Sequence, residues 1–326
     1  MNSASPTPRP APAHRWAHAA ARVTSRAQRT TLDALWVRNL SMSMYRKGAG
    51  AHLVILLHGF PDDAASMLPL MERLSAPHRT VVAPYMRGLA PTGQAPDDDY
   101  SLRALARDVV GLMDALGHTQ ATVIGHHWGA LVGYTLANLA PQRVRQLVAL
   151  NMPPPRVLLR RFSGSPIQWL HSAHVALFQV PGVSTWALQR DDFKLVDALW
   201  RMWSPTWRAP ASRRLKVKST LRQPQSARAA LKYYRSMGLD ALVSPQAWRH
   251  SLRLAKGRIR VPTLIISGEQ DGCMHHTLFR GMHRAFETPS WRHVSLSCGH
   301  FPQHEDLDAL VDALEPVLTQ KPSTAG

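Results

Sequence analysis

Four stretches of the chain carry groups suited to acid–base or nucleophilic chemistry: His58-Gly59-Phe60-Pro61, Gly125-His126-His127-Trp128-Gly129, Asp271, and Cys298-Gly299-His300-Phe301-Pro302. Two glycines four residues apart frame His127 as the exposed residue of a sharp strand-to-helix turn, the position where a nucleophile normally sits. Asp271, when ionised, could hold one tautomer of His300 and stabilise its imidazolium, leaving the other ring nitrogen to move protons. The backbone N–H groups of Phe60 and Trp128 could converge on one developing negative charge as an oxyanion hole. The catalytic candidates are therefore His127, Asp271 and His300, in the chain order turn residue, acid, histidine.

These residues need a scaffold that brings distant segments together, and the hydrophobic pattern supplies one. Apolar runs at Leu53–Leu57, Thr80–Tyr85, Ala121–Ile124, Val144–Leu150, Val261–Ser267 and His293–Leu296 read as buried strands. Amphipathic stretches near Ala64–Leu74, Leu102–Leu116, Ala130–Leu139 and Leu307–Leu318 read as helices. Alternating strands and helices indicate a mostly parallel sheet covered on both faces. Each candidate follows the end of a strand, where open α/β sheets gather their ligands. Between Pro154 and about residue 250 the rhythm gives way to a Trp- and Arg-rich helical stretch containing Trp169, Trp186, Trp200, Trp203 and Trp207. The expected division is a core of 36–153 and 251–320 interrupted by a helical cap of 154–250.

The motifs His58-Gly59-Phe60-Pro61, Val82-Ala83-Pro84-Tyr85-Met86-Arg87-Gly88, Gly125-His126-x-Trp128-Gly129 and Gly299-His300-Phe301 resemble the epoxide hydrolase and haloalkane dehalogenase branch of the α/β hydrolases. The resemblance runs over about residues 40 to 320. It implies an α/β-hydrolase fold with an inserted helical cap, an aspartate nucleophile, and in epoxide hydrolases two cap tyrosines that protonate the epoxide oxygen. Tyr234, in Lys232-Tyr233-Tyr234-Arg235, matches the second tyrosine. The region of the first, near Phe178-Gln179-Val180-Pro181-Gly182, offers His174 and Leu177 instead. Tyr234, His58 and Pro61 are the candidate substrate contacts.

His127 stands where the resemblance implies an aspartate, and this changes the chemistry. An aspartate that opens an epoxide leaves an ester whose carbonyl water can then attack. A histidine would leave an N-alkyl imidazole with no carbonyl, and the enzyme would inactivate itself. Attack on an ester would instead give a hydrolysable acyl imidazole. A second route uses His127 or His300 as general base or acid without a covalent step. The expected function is hydrolysis of a small hydrophobic ester or related acyl compound, or histidine-based acid–base chemistry. The alternatives are an epoxide hydrolase-like enzyme of altered mechanism and a catalytically degraded small-molecule binding protein.

Composition narrows the remaining classes. Lys and Arg exceed Asp and Glu by 18, but the basic residues are scattered and no nucleic-acid-binding signature accompanies them, so no specific nucleic acid is expected. No apolar run is long enough to span a membrane. Residues 1–35 read as a disordered basic tail with Pro6, Pro8, Pro10 and Pro12; their Arg, Ala and Ser content also fits a transit peptide, while the missing apolar segment argues against a secretory signal. Two cysteines, Cys273 and Cys298, make no disulfide framework and fit a reducing cytoplasm, although each lies two residues from a candidate catalytic group and a redox-sensitive site is one reading. No cofactor or metal is expected: His127, His300 and Asp271 could form a facial set, but nothing else in the sequence specifies an ion. The expected partner is a small-molecule substrate, and a homodimer is left open.

Overall fold

The computed structural model describes residues 29–319 apart from 163, 165 and 239–243. Eight strands form one sheet in the order β1-β2-β4-β3-β5-β6-β7-β8. The strands β3 (His52–Leu57), β4 (Arg79–Pro84), β5 (Ala121–His126), β6 (Val144–Leu150), β7 (Thr263–Gly268) and β8 (Trp291–Leu296) run parallel to one another. Their apolar residues divide by the two-residue strand period. Leu53, Ile55, Leu57, Val123, Leu147 and Ile265 enter one core, and Val54, Leu56, Ile124, Val148 and Ile266 enter the other. Both faces must then be covered, which is why the central strands read as unbroken apolar runs.

On the first face lie α2 (Leu102–Ala115) and α3 (Trp128–Leu139), and on the second α1 (Leu68–Leu74) and, at the end of the described chain, a helix over Leu307–Thr319. Ser101 caps α2 by accepting from the Ala104 N–H at 3.2 Å. Between β6 and β7 the chain leaves the sheet for α4 (Pro155–Phe162), α5 (Pro166–His171), α6 (Ala173–Phe178), α7 (Val183–Trp203), α8 (Ala211–Arg222), α9 (Ser226–Met237) and α10 (Pro245–Lys256). This insertion is fastened to the loops at the strand ends. Trp200 donates from Nε1 to the Pro61 carbonyl at 2.9 Å, Arg213 pairs with Asp62 and Asp63, and Tyr233 donates to the Arg87 carbonyl at 2.7 Å.

Two boundaries differ from the sequence reading. An antiparallel pair, β1 (Thr31–Val37) and β2 (Leu40–Lys47), extends the sheet at its edge, so the expected tail ends before Thr31 rather than at residue 35. Only Val37 of β1 is fully buried, and such an edge strand carries too little apolar alternation to be seen in the sequence. The expected cap boundary at 250 falls inside α10, which continues to Lys256 and packs on α4. The rest of the expected tail, residues 1–28, lies outside the described residues. Among the described residues no helix is long and apolar enough to cross a membrane.

Candidate active site

The turn at His127 is forced by close packing of backbone. A Cβ on Gly125 would stand 2.3 Å from the Gly129 carbonyl, and one on Gly129 would stand 2.2 Å from the Leu57 oxygen. Glycine at both positions lets β5 run directly into α3. His127 itself adopts φ 50° and ψ −107°, a conformation an L-residue reaches at a cost of order 1–3 kcal/mol and keeps only where its surroundings impose it. The imidazole is thereby held at the end of the sheet with 3% of its surface exposed. Its Nδ1 lies 3.0 Å from the Phe60 carbonyl oxygen, so Nδ1–H donates and Nε2 keeps the lone pair. Burial, followed by the nearby His300 and His126 rings, holds His127 well below the ordinary histidine range, and it is neutral near pH 7.

His300 and Asp271 arrive from the loops after β8 and β7. His300 Nδ1 lies 3.0 Å and 2.9 Å from the two Asp271 oxygens. Asp271 also accepts from the backbone N–H groups of Cys273 and Met274 and from Asn151 Nδ2 at 2.8 Å, which fixes the carboxylate on every side. His300 is fully buried and, among the described residues, its Nε2 has no hydrogen-bond partner. The His127 and His300 rings meet edge to face with centroids 5.0 Å apart. The structure therefore brings together all three residues named from the sequence as catalytic.

The other expected residues surround this trio in different ways. Among the described residues neither the Phe60 nor the Trp128 backbone N–H has a protein partner, and Trp128 opens α3, where N–H groups are left free by helix geometry. Tyr234 is buried, its ring 5.4 Å from Phe60 and 4.9 Å from Trp128, and among the described residues its hydroxyl makes no more than a loose contact with the Trp128 side chain. Burial pushes that hydroxyl well above the ordinary tyrosine range, so it keeps its proton. His58 turns the other way: Nε2 accepts from the Met86 N–H at 3.2 Å and Nδ1 faces the Gly59 carbonyl at 3.0 Å, so both nitrogens hold the loop's backbone. Pro61 is buried and offers its carbonyl to Trp200.

Several residues of the site are not among the candidates named from the sequence. Asn151, the residue after β6, donates from Nδ2 to both Asp271 and the Gly299 carbonyl and so ties two loops together. Its sequence cue was a polar residue ending an apolar strand. Ser204, after α7, accepts from the His300 N–H at 2.8 Å and donates to Glu305. Trp203 lies over both histidines, with centroids 5.6 Å from His127 and 5.0 Å from His300. His174, in the region where the first tyrosine would fall, packs against Trp203 and Tyr234, and burial lowers it to about 4.

A family model of the alpha/beta hydrolase fold matches residues 52–307, most of the chain and every element that carries the site. The chain belongs to this family. Within it the chain falls in the epoxide hydrolase-like branch. It is 28% identical over 197 residues to the AB hydrolase superfamily protein YfhM of Bacillus subtilis (strain 168), covering 60% of this chain and 69% of that protein. It is 32% identical over 152 residues to epoxide hydrolase 4 of Homo sapiens, covering 46% and 41%. The chain thus spans less than half of the human relative. An epoxide hydrolase of Bacillus megaterium solved with an inhibitor superposes with a TM-score of 0.76 at 23% identity, covering 88% of this chain and 100% of that one, a likeness of fold. The alpha/beta hydrolase scaffold explains why residues from four separate loops meet at one end of the sheet.

Proposed function

We propose that this alpha/beta hydrolase cleaves small hydrophobic esters or related acyl compounds by activating water between His127 and His300. The observation that carries this reading is the matched tautomer of the two rings. Phe60 occupies Nδ1 of His127 and Asp271 occupies Nδ1 of His300, so both Nε2 atoms are lone pairs with no proton between them. A ring nitrogen of each lies within 4.8 Å of the other. Two hydrogen bonds of about 2.8 Å meeting at one water span about 4.5 Å. A water there would donate both O–H bonds and turn its own lone pair toward a bound carbonyl.

His300 takes one proton as the water oxygen bonds to the acyl carbon, and Asp271 stabilises the imidazolium that forms. The carbonyl oxygen, now negative, faces the free N–H groups of Phe60 and Trp128. Collapse breaks the bond to the leaving alkoxide, which receives the proton from His300. Ester and water become acid and alcohol, and both histidines return neutral. Phe60, Phe178, Trp128, Trp203 and Tyr234 give the site aromatic walls, which favours an apolar acyl or alcohol group.

The test is turnover of a panel of aryl and alkyl esters with intact-mass analysis of the enzyme during turnover. The expected result is hydrolysis that His300→Ala abolishes, His127→Ala reduces, and no acyl adduct accompanies. An adduct on His127 would replace water activation by the acyl-imidazole route, and equal rates in the wild type and both variants would remove the catalytic reading altogether.

A further inference from the structure

Cys273 stands beside the same two histidines. One ligand atom each from His127, Cys273 and His300 lies within 4.8 Å of the other two, and all three residues are buried. For three atoms so spaced there is a point no more than about 2.8 Å from each, against bonds of about 2.0–2.1 Å for zinc to nitrogen and 2.3 Å for zinc to sulfur. Side-chain shifts of up to about 0.8 Å would bring all three atoms to bonding distance of an ion.

The surroundings of both rings match those of metal-bound histidines. A ligating imidazole commonly donates its second N–H to a carboxylate or a backbone carbonyl, which fixes the tautomer and aims the lone pair at the ion. His300 does this to Asp271 and His127 to the Phe60 carbonyl. His300 Nε2, fully buried and without a partner among the described residues, is the free nitrogen that such an ion would take up. Asp271 is excluded as the third ligand because its oxygens already receive His300, Asn151, Cys273 N–H and Met274 N–H. The thiol two residues further on, and not the carboxylate, completes the set with the two imidazoles.

We propose that His127, Cys273 and His300 form a binding site for a thiophilic divalent transition ion, zinc by its donor set. Two neutral imidazoles and one thiolate give three protein ligands with the fourth tetrahedral position left to a water or a substrate oxygen. Binding breaks the S–H bond of Cys273 and releases that proton to solvent. The ion would occupy the same imidazole lone pairs that hold the water in the ester-hydrolysis reading, and because the readouts below do not involve turnover, either reading can fail without the other.

The full chain is loaded with Co²⁺ and followed by absorption, with Zn²⁺ as competitor and in parallel thermal melts. The expected result is a thiolate-to-cobalt charge-transfer band in the near ultraviolet with tetrahedral visible bands, displaced by Zn²⁺, and a Zn²⁺-dependent rise in Tm. Cys273→Ser should lose the charge-transfer band and weaken zinc binding by more than about 100-fold, and His127→Asn should also weaken it, whereas Cys298→Ser should bind as the wild type does. Circular dichroism identifies any variant that has not folded, in which case the second ligand variant carries the comparison. Absence of the band in the wild type, or a band that persists in folded Cys273→Ser, overturns the proposal.

Discussion

Asn151 and Asp271 are 120 residues apart in the chain, yet Asn151 Nδ2 donates to Asp271 Oδ2 at 2.8 Å and to the Gly299 carbonyl at 2.9 Å. One amide therefore fixes both the acid and the loop that carries its histidine. In Asn151→Ala a buried carboxylate oxygen and a carbonyl would lose their donor, a loss worth about 1–3 kcal/mol of stability. The variant should also lower kcat for ester hydrolysis by about 10-fold or more through a less ordered His300. Thermal melts and steady-state kinetics check the two effects, and a variant with wild-type kcat would show that Asp271 is held adequately without Asn151.

Tyr234 carries a buried hydroxyl whose interaction among the described residues is a loose one with the Trp128 side chain. Removing a polar atom so weakly partnered relieves more desolvation cost than it breaks interaction. Tyr234→Phe should therefore keep or raise Tm while lowering kcat/KM for substrates whose oxygen the hydroxyl meets. A fall in Tm of several degrees would indicate that the hydroxyl is satisfied in the folded protein.

Restoring a carboxylate tests how much of the epoxide-opening apparatus remains. His127→Asp places an oxygen nucleophile on a turn whose Gly125 and Gly129 packing is unchanged, opposite a tyrosine that keeps its proton. It should gain measurable hydrolysis of aryl epoxides where the wild type has none. The gain should be small, because His174 and not a second tyrosine packs beside Tyr234. Assay of diol formation in both proteins decides the point, and an inactive, folded variant would count against the carry-over of Tyr234.

Acid should destabilise the fold through its buried histidines. Burial lowers His174 from about 6.5 to about 4 and pushes His58, His126 and His127 in the same direction. Between those values the unfolded chain binds protons that the folded chain does not, so stability rises with pH and is lost as pH falls below about 6.5. His174 alone would remove about 2 kcal/mol by pH 5. The fall in unfolding free energy from pH 7 to pH 5 should be visibly shallower in His174→Phe. An equal fall in the wild type and the variant, measured by denaturant titrations at the two pH values, would assign the loss to the other histidines.

The parts of this molecule legible in its sequence are those with a local signature. The parallel strands announce themselves because each is buried on both faces, and the turn at His127 because its glycines cannot be replaced without a backbone clash. Asp271 and His300 were found by order and by position after a strand. Asn151, Ser204 and Trp203 were not identified as site residues, since each acts through a partner at least 70 residues away and is an ordinary residue for its element. His58 shows the reverse: its place in a motif suggested substrate contact, whereas both its nitrogens hold loop backbone. Cys273 lay in plain view beside Asp271, but only folding sets its sulfur next to two imidazoles.

Ser204 ends the long insertion helix, and its hydroxyl is where the His300 backbone N–H is anchored, with Glu305 holding Ser204 and the N–H groups of Gly299 and Phe301 in turn. The roof of the site and its proton carrier consequently share one latch. Because the helix end and the His300 loop are joined through one hydroxyl, Ser204→Ala would take a hydrogen bond from the insertion and from the His300 loop at the same time.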